Sequence, residues 1–335
     1  MVRGTERKHW IDTVRGICMV AILLFHTEMY YAGRDITPYR CYVHNALATF
    51  FFISGYLFCG GRDGGGFRFA HKVKSISRTL IMPYFIFTGI VGAVKIAARH
   101  AAPADIFIDI ISGRASWFVA ALIVAEMLLA LVMLITRGKA TWLSAVALLS
   151  FATAFVVGNR HDPSTLFYEQ NLWYANDALL ATGIMICGVF YRRWEHFFNR
   201  FNTISYTSLL FVILLIIKTF IVIYHVDTVI GSIEISCIPM FLADICVSVA
   251  FLVSLGKLIG RLPMVGWTGA HSLVYYFFCG AVPSVVALTF NRAGFGYNQY
   301  WQVIAALAAT YAACTAIAFV TYRYFPALVG KHGRA

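Results

Sequence analysis

Apolar residues run along this chain in ten long stretches, parted by short polar connectors. The stretches cover residues 10–31, 44–60, 79–99, 117–135, 141–158, 175–191, 203–225, 235–256, 265–288 and 300–322. Most reach the roughly 20 mainly apolar residues that a helix needs to cross a bilayer. Runs of this length without polar alternation predict helices rather than strands. The expected fold class is therefore all-α: a polytopic membrane protein of about ten transmembrane helices, with residues 1–335 as a single transmembrane domain. The 44–60 stretch is short and opens into Gly60, Gly61, Gly64, Gly65 and Gly66. That pattern suits a tilted or half-inserted helix, which is tolerated only where protein encloses it.

Composition narrows the picture. With 60% apolar and only 13% charged residues, the chain is too greasy for a water-soluble domain, a disordered chain or a coiled coil. A net charge of +12 would suggest nucleic acid in a soluble protein. Here the basic residues segregate by connector, which gives the charge another meaning. The N-terminus, 61–78, 136–140, 192–202, 257–264 and the C-terminal tail hold eighteen Lys and Arg; the alternate connectors hold five, at Arg34, Arg40, Arg114, Arg160 and Arg292. By the positive-inside rule both termini are expected to be cytoplasmic, and no nucleic-acid partner is expected. The eight cysteines (Cys18, Cys41, Cys59, Cys187, Cys237, Cys246, Cys279, Cys314) form no CxxC and no cluster with metal-ligand spacing. They read as small buried hydrophobes, with no metal site. The first apolar run is too long for a signal-peptide core and is kept as a helix. No internal repeat with paired, broken segments is visible, which counts against a secondary transporter.

Charge inside a bilayer is costly, so each ionisable residue within a span is a candidate for function. Those residues are Asp12, Arg15, His26, Glu28, Lys95, Glu126, Lys218, Asp244 and His271. Lys95 sits near a helix end and can snorkel. Lys218 is expected to pair with Asp244 or Glu126 as a structural ion pair. The first span is more organised. Arg15 and His26 are eleven residues apart, which at about 100° per residue is three full turns plus some 20°, with a rise of about 16.5 Å. Both therefore point the same way, with Asp12 one turn below Arg15 and able to pair with it. Such a stripe would be expensive against lipid and is expected to line a protein-enclosed cavity, where a histidine can handle a proton near neutral pH. The connector 61–78 is glycine-rich, then basic. If helical, its Lys74 and Arg78 stand side by side at i, i+4 and suit a polyphosphate.

These segments resemble the acyltransferase-3 family of membrane O-acyltransferases. Trp10-Ile-Asp12-Thr-Val-Arg15-Gly16, ending in Leu24-Phe25-His26-Thr27, is similar to its R-x10-H signature. Phe51-Phe52-Ile53-Ser54-Gly55-Tyr56-Leu57-Phe58 resembles its FF-x-SG-[FY]-L-F segment, and Arg78 to Tyr84 its R-x-L-x-x-P-Y entry to the third helix. Ser116-Trp117-Phe118 and Gly269-Ala-His271-Ser272-Leu273-Val-Tyr275 resemble two later segments, in the family's order. Ser75 stands where the family often carries an arginine three before Arg78, leaving Lys74 or Lys72 as the substitute. Phe278-Cys279 stand where a histidine commonly ends the late segment.

The resemblance implies a stand-alone enzyme of the bacterial inner membrane. It would move an acyl group, usually acetyl, from cytoplasmic acyl-CoA to a hydroxyl of a surface or polyprenyl-linked glycan. Acetyl-CoA is then a donor substrate, and no bound cofactor is expected. His26 is expected to activate the acceptor hydroxyl or to accept the acyl group transiently, with Arg15 essential and Glu28 orienting the outer end of the site. Arg78, Lys74 and Lys72 are expected at the CoA phosphates, and Ser54 as a hydrogen-bond donor near the thioester. Partners are acyl-CoA, the glycan and membrane lipid; a homo-oligomer is compatible with all of this. The competing reading is a transporter or flippase of a lipid-linked glycan or small solute, with the intramembrane charges as its path.

Overall fold

The computed structural model describes residues 8–58, 67–99, 102–158 and 171–330. Arg3, Arg7, Cys59, the glycine-rich stretch 60–66 with Arg62, Arg160, Lys331 and Arg334 lie outside the described residues. The described chain is almost wholly helical, and its helices follow the apolar stretches. They are α1 (His9–Thr27), α2 (Tyr39–Phe58), α3 (Phe69–Ile76), α4 (Met82–Arg99), α5 (Pro103–Ser112), α6 (Trp117–Thr136) and α7 (Ala140–Gly158). Then come α8 (Ala175–Arg193), α9 (Glu195–Asn199), α10 (Ile204–Ile223), α11 (Ile238–Ile259), α12 (Pro263–Ala270), α13 (Ser272–Phe278), α14 (Ala281–Arg292) and α15 (Tyr300–Tyr324). A two-stranded antiparallel hairpin, β1 (Thr228–Val229) with β2 (Glu234–Ile235), precedes α11.

Among the described residues nine helices are long and apolar enough to cross a membrane, or ten if a bent pair counts as one span. The bent pair is the expected ninth span. It is broken at His271 and again between α13 and α14, where the axis turns by 53°. Pro263 opens α12 and Pro283 sits in the first turn of α14, positions where a proline's missing N–H does least harm. The second span begins at Tyr39 rather than at residue 44, which puts His44 inside a helix. The third span reaches back to Phe69, because α3 runs through a π-helical stretch, Ser77–Ile81, straight into α4. The basic part of the 61–78 connector is thus helix.

Two compact units make up the chain. The first comprises Met1–Phe50, Glu195–His225 and Pro239–Ala318. In it α1 packs directly on α12 at two glycines. A Cβ on Gly16 would strike the Val265 carbonyl, and one on Gly269 would strike the Asp12 carbonyl. Val14, Met19, Ile22 and Leu23 of α1 are fully or almost fully buried around this crossing. The second unit comprises Phe51–Trp194, Val226–Ile238 and Phe319–Ala335. There the end of α2 meets α8 at Gly55 and Gly188, whose absent side chains admit the Met185 and Phe52 carbonyls.

Outward faces are strongly apolar: Ile135 is 72% exposed, Leu148 71% and Ile204 76%. A helix whose polar groups point in and whose apolar groups point out is built for lipid. The same inversion corrects the reading of the cysteines as buried. Cys18, Cys279 and Cys314 are, but Cys187 and Cys246 are exposed, since an apolar thiol costs nothing where the solvent is hydrocarbon.

Candidate functional site

The α1 stripe lies in the first unit, and α1 is a regular helix from His9 to Thr27, so the shared direction of Arg15 and His26 stands. Asp12 in its first turn is favourable to the helix dipole. Thr13 on the same helix is locked to the turn before α12: its hydroxyl donates to the Gly260 carbonyl at 2.8 Å and accepts from Leu262 N at 3.3 Å. This tie and the glycine crossing bring α1 against the broken ninth span. Arg15 is partly buried there, and its Nη2 donates to Ser272 Oγ at 2.8 Å. Ser272 is the first residue of α13, just past the break. His271, at the break itself, bonds through Nδ1 to the Trp267 carbonyl at 2.6 Å and stacks on that indole at 4.1 Å.

His26, near the C-terminal end of α1, is partly buried. Its ring meets Phe25 edge-on at 5.4 Å and stacks with Tyr30 at 6.3 Å. Among the described residues neither ring nitrogen has a hydrogen-bond partner. A histidine so placed keeps a lone pair available for a substrate proton. Glu28 is different. It sits in the π-helical turn Glu28–Ala32 that follows α1, fully buried. Thr37 N and Oγ1 donate to it at 2.9 and 3.1 Å, and the Tyr300 hydroxyl at 3.0 Å. Both carboxylate oxygens are taken, so Glu28 clamps the α1–α2 loop to the start of α15.

The four expected donor-binding residues lie in the second unit and divide into two groups. Lys74 and Arg78 are exposed, Arg78 within the π-helical stretch. Lys72 is committed elsewhere: its ammonium pairs with Glu126 of α6 at 2.9 Å and lies 4.0 Å above the Phe58 ring. Ser54 is partly buried beside Gly55, at the crossing of α2 with α8.

A buried polar cluster of the first unit includes residues outside the set expected from the sequence. Lys218 pairs with Asp244 at 2.7 Å, not with Glu126. The same Asp244 oxygen takes Asn45 Nδ2 at 2.9 Å and contacts His44 Nε2. Lys218 also donates to Asn45 Oδ1 at 2.6 Å and to the Arg40 carbonyl at 3.1 Å, while Asn45 Nδ2 reaches Ser248 Oγ at 2.8 Å. Hydropathy alone puts His44 at the first residue of a span, where a polar side chain draws no notice; α2 carries it inside the helix. The recurrence of His44, Asn45 and Thr49 at helical spacing in an apolar run was the signal for it.

The sequence profile of a family described as an acyltransferase domain, the acyltransferase-3 family, matches residues 8–323. The chain belongs to that family. No curated protein and no solved structure matches the chain. Membership makes this a multi-pass membrane acyltransferase, and the matched range takes in α1 through almost all of α15. Within it, the segments similar to family motifs fall on α1, the second half of α2, the π-helical entry to α4, the start of α6 and the α12–α13 break. Two of them, on α1 and at the break, are joined in this acyltransferase by the Arg15–Ser272 hydrogen bond.

Proposed function

We propose that this membrane acyltransferase carries an acetyl group from cytoplasmic acetyl-CoA to a hydroxyl of a cell-surface or lipid-linked glycan, at the bacterial inner membrane with both termini inside. The observation that carries the reading is the α1 stripe: Arg15 fixed by Ser272, and His26 three turns on, whose ring nitrogens have no hydrogen-bond partner among the described residues. In the direct route His26 takes the acceptor's hydroxyl proton. The freed oxygen then bonds to the acetyl carbonyl carbon, the C–S bond breaks, and the thiolate leaves to be protonated as CoA. In the two-step route the same nitrogen first bonds to the acetyl carbon as the C–S bond breaks and CoA leaves with the ring's proton; the hydroxyl oxygen then bonds to that carbon as the C–N bond breaks, and its proton returns to the ring. Both need an imidazole nitrogen with a free lone pair at the reacting carbon; Arg15, about three turns away along α1, supplies a cation to the donor rather than to the developing oxyanion. Lys74 and Arg78 take the donor's phosphates, whereas the Glu126 partner leaves Lys72 a supporting part.

Family membership favours this over the transporter alternative. The experiment is release of free CoA from acetyl-CoA by purified protein on addition of host glycan, with wild type and His26→Ala side by side. The variant should be folded and inactive, since alanine only makes the helix more apolar. Full activity in a folded His26→Ala protein removes this mechanism, and a wild type that never releases CoA revives transport.

A further inference from the structure

A π-helical turn is rare, and where one occurs it often marks a functional site. The stretch Ser77–Ile81 is such a turn; it joins α3 to α4 and carries Arg78 at an exposed position. Its shape sets direction. Relaxing the stretch to α-helix would take one residue out of the turn and rotate α3, with Lys74, by about 100° relative to α4. A conformation this far from the α-helical default persists only where its surroundings favour it. The C-terminal segment of the chain is part of those surroundings. After α15 comes a 3₁₀ turn, Pro326–Val329, in the same compact unit, and it packs on the π-helical stretch and on α4. Val329 is buried, and Gly330 closes the turn by donating its N–H to the Ala327 carbonyl at 3.1 Å. Gly330 answers two demands at once. Its φ of +71° is left-handed, and a Cβ there would stand 2.6 Å from the Arg78 carbonyl oxygen and 3.1 Å from Thr79 Cα. Both sides of this contact are backbone, so no side chain can turn aside. The turn lies past residue 323, where the match to the family profile ends.

We infer that Gly330 and the Pro326–Val329 turn form a brace that positions Arg78 for the donor's phosphates. This rests on the donor reading of Arg78 given above and names what aims that residue. Gly330 touches the backbone of Arg78 and not the donor, so it is a positioning residue. A methyl group added there must push the two backbones apart by roughly 1 Å, more than a charge-assisted hydrogen bond tolerates. The effect belongs to donor affinity and passes over the acceptor.

The test is a double-mutant cycle of Gly330→Ala with Arg78→Ala in the purified full-length protein, read as Michaelis constants for acetyl-CoA and for host glycan. Gly330→Ala is expected to raise the donor constant about tenfold, the size of one lost charge-assisted bond, with kcat and the acceptor constant kept within about twofold. In the Arg78→Ala background the same substitution should add little, because the side chain it displaces is already gone. Gly294→Ala controls for backbone strain: Gly294 has a φ of +77° with open space around it, so that variant should lose thermal stability and keep the donor constant. Where Gly330→Ala fails to fold, Val329→Ala, which loosens the turn without adding an atom, carries the same cycle. An unchanged donor constant in the folded variant overturns the brace. A rise that appears in full on top of Arg78→Ala, or equally in Gly294→Ala, also overturns it, by placing the effect in the fold at large. A donor constant that Arg78→Ala itself leaves unmoved, in protein that still releases CoA, brings down the donor reading of Arg78 and the brace with it.

Discussion

Gly269→Ala tests whether the crossing of α1 with α12 sets the activity. The added Cβ would overlap the Asp12 carbonyl and come within 2.6 Å of Gly16 N, against an ordinary contact that begins at 3.4 Å. Neither neighbour is the end of a flexible side chain; both are backbone of a helix tied down by Thr13. To make room, α1 must back away from α12 by roughly 1 Å, a displacement that in an active site costs about a hundredfold in rate. The Arg15–Ser272 bond, at 2.8 Å, cannot survive such a shift with good geometry. Overpacking of this kind also costs about 1–3 kcal/mol of stability. The assay is acceptor-dependent CoA release by purified protein, alongside a thermal melt followed by circular dichroism. Activity should fall by about two orders of magnitude in protein that still melts cooperatively. Ser272→Ala should reproduce much of the loss without the stability cost, and Ser272→Thr, which keeps the hydroxyl, should recover it. Gly269→Ala with wild-type rate and stability would refute the claim that this crossing holds Arg15 in place.

The donor cations should separate by their partners. Lys74→Ala with Arg78→Ala should raise the Michaelis constant for acetyl-CoA and spare that for the acceptor, at about 1.5–3 kcal/mol for each charge-assisted bond; Lys72→Ala should instead lower thermal stability, by stranding Glu126. An unchanged donor constant in the double variant would leave the basic run as a topology signal alone. Glu28→Ala should act on the fold, removing three hydrogen bonds to a buried carboxylate at a cost on the order of 3 kcal/mol, visible as a lower melting temperature with the pH dependence of the remaining activity unmoved. A shifted pH profile in that variant would return Glu28 to the chemistry. Arg68→Cys and Arg193→Cys, each in a chain stripped of its own cysteines, should be labelled only from the cytoplasmic side; labelling of either from outside in intact cells would reverse the proposed topology.

Much of this protein is legible in its sequence because a bilayer leaves the chain few choices. A long apolar run must become a helix, since hydrocarbon offers its backbone no other partners. The helices accordingly fall where the hydropathy puts them, and the direction shared by Arg15 and His26 follows from the pitch of α1 alone. The motif residues were legible too, as short strings within those helices. The limits of the elements were less so. His44 was assigned to a span end because polar residues normally mark one, whereas α2 carries it inside and satisfies it with Asp244.

What only the tertiary structure decided is which helix faces which. Periodicity fixes the side of a helix on which a charge lies but says nothing of its partner across the gap. Lys218 had two candidate carboxylates, Asp244 and Glu126, equally plausible by hydropathy. Packing gave Lys218 to Asp244 and Glu126 to Lys72. Glu28, expected to orient the outer end of the site, stands in a π-helical turn whose partners, Thr37 and Tyr300, no pattern in the sequence named. The partner of Arg15 lies 257 residues away along the chain. It reaches Arg15 because two glycines let α1 and α12 touch, and because the ninth span breaks where Ser272 can face inward. Contacts of that kind depend on distances between helices, and only the packed core sets them.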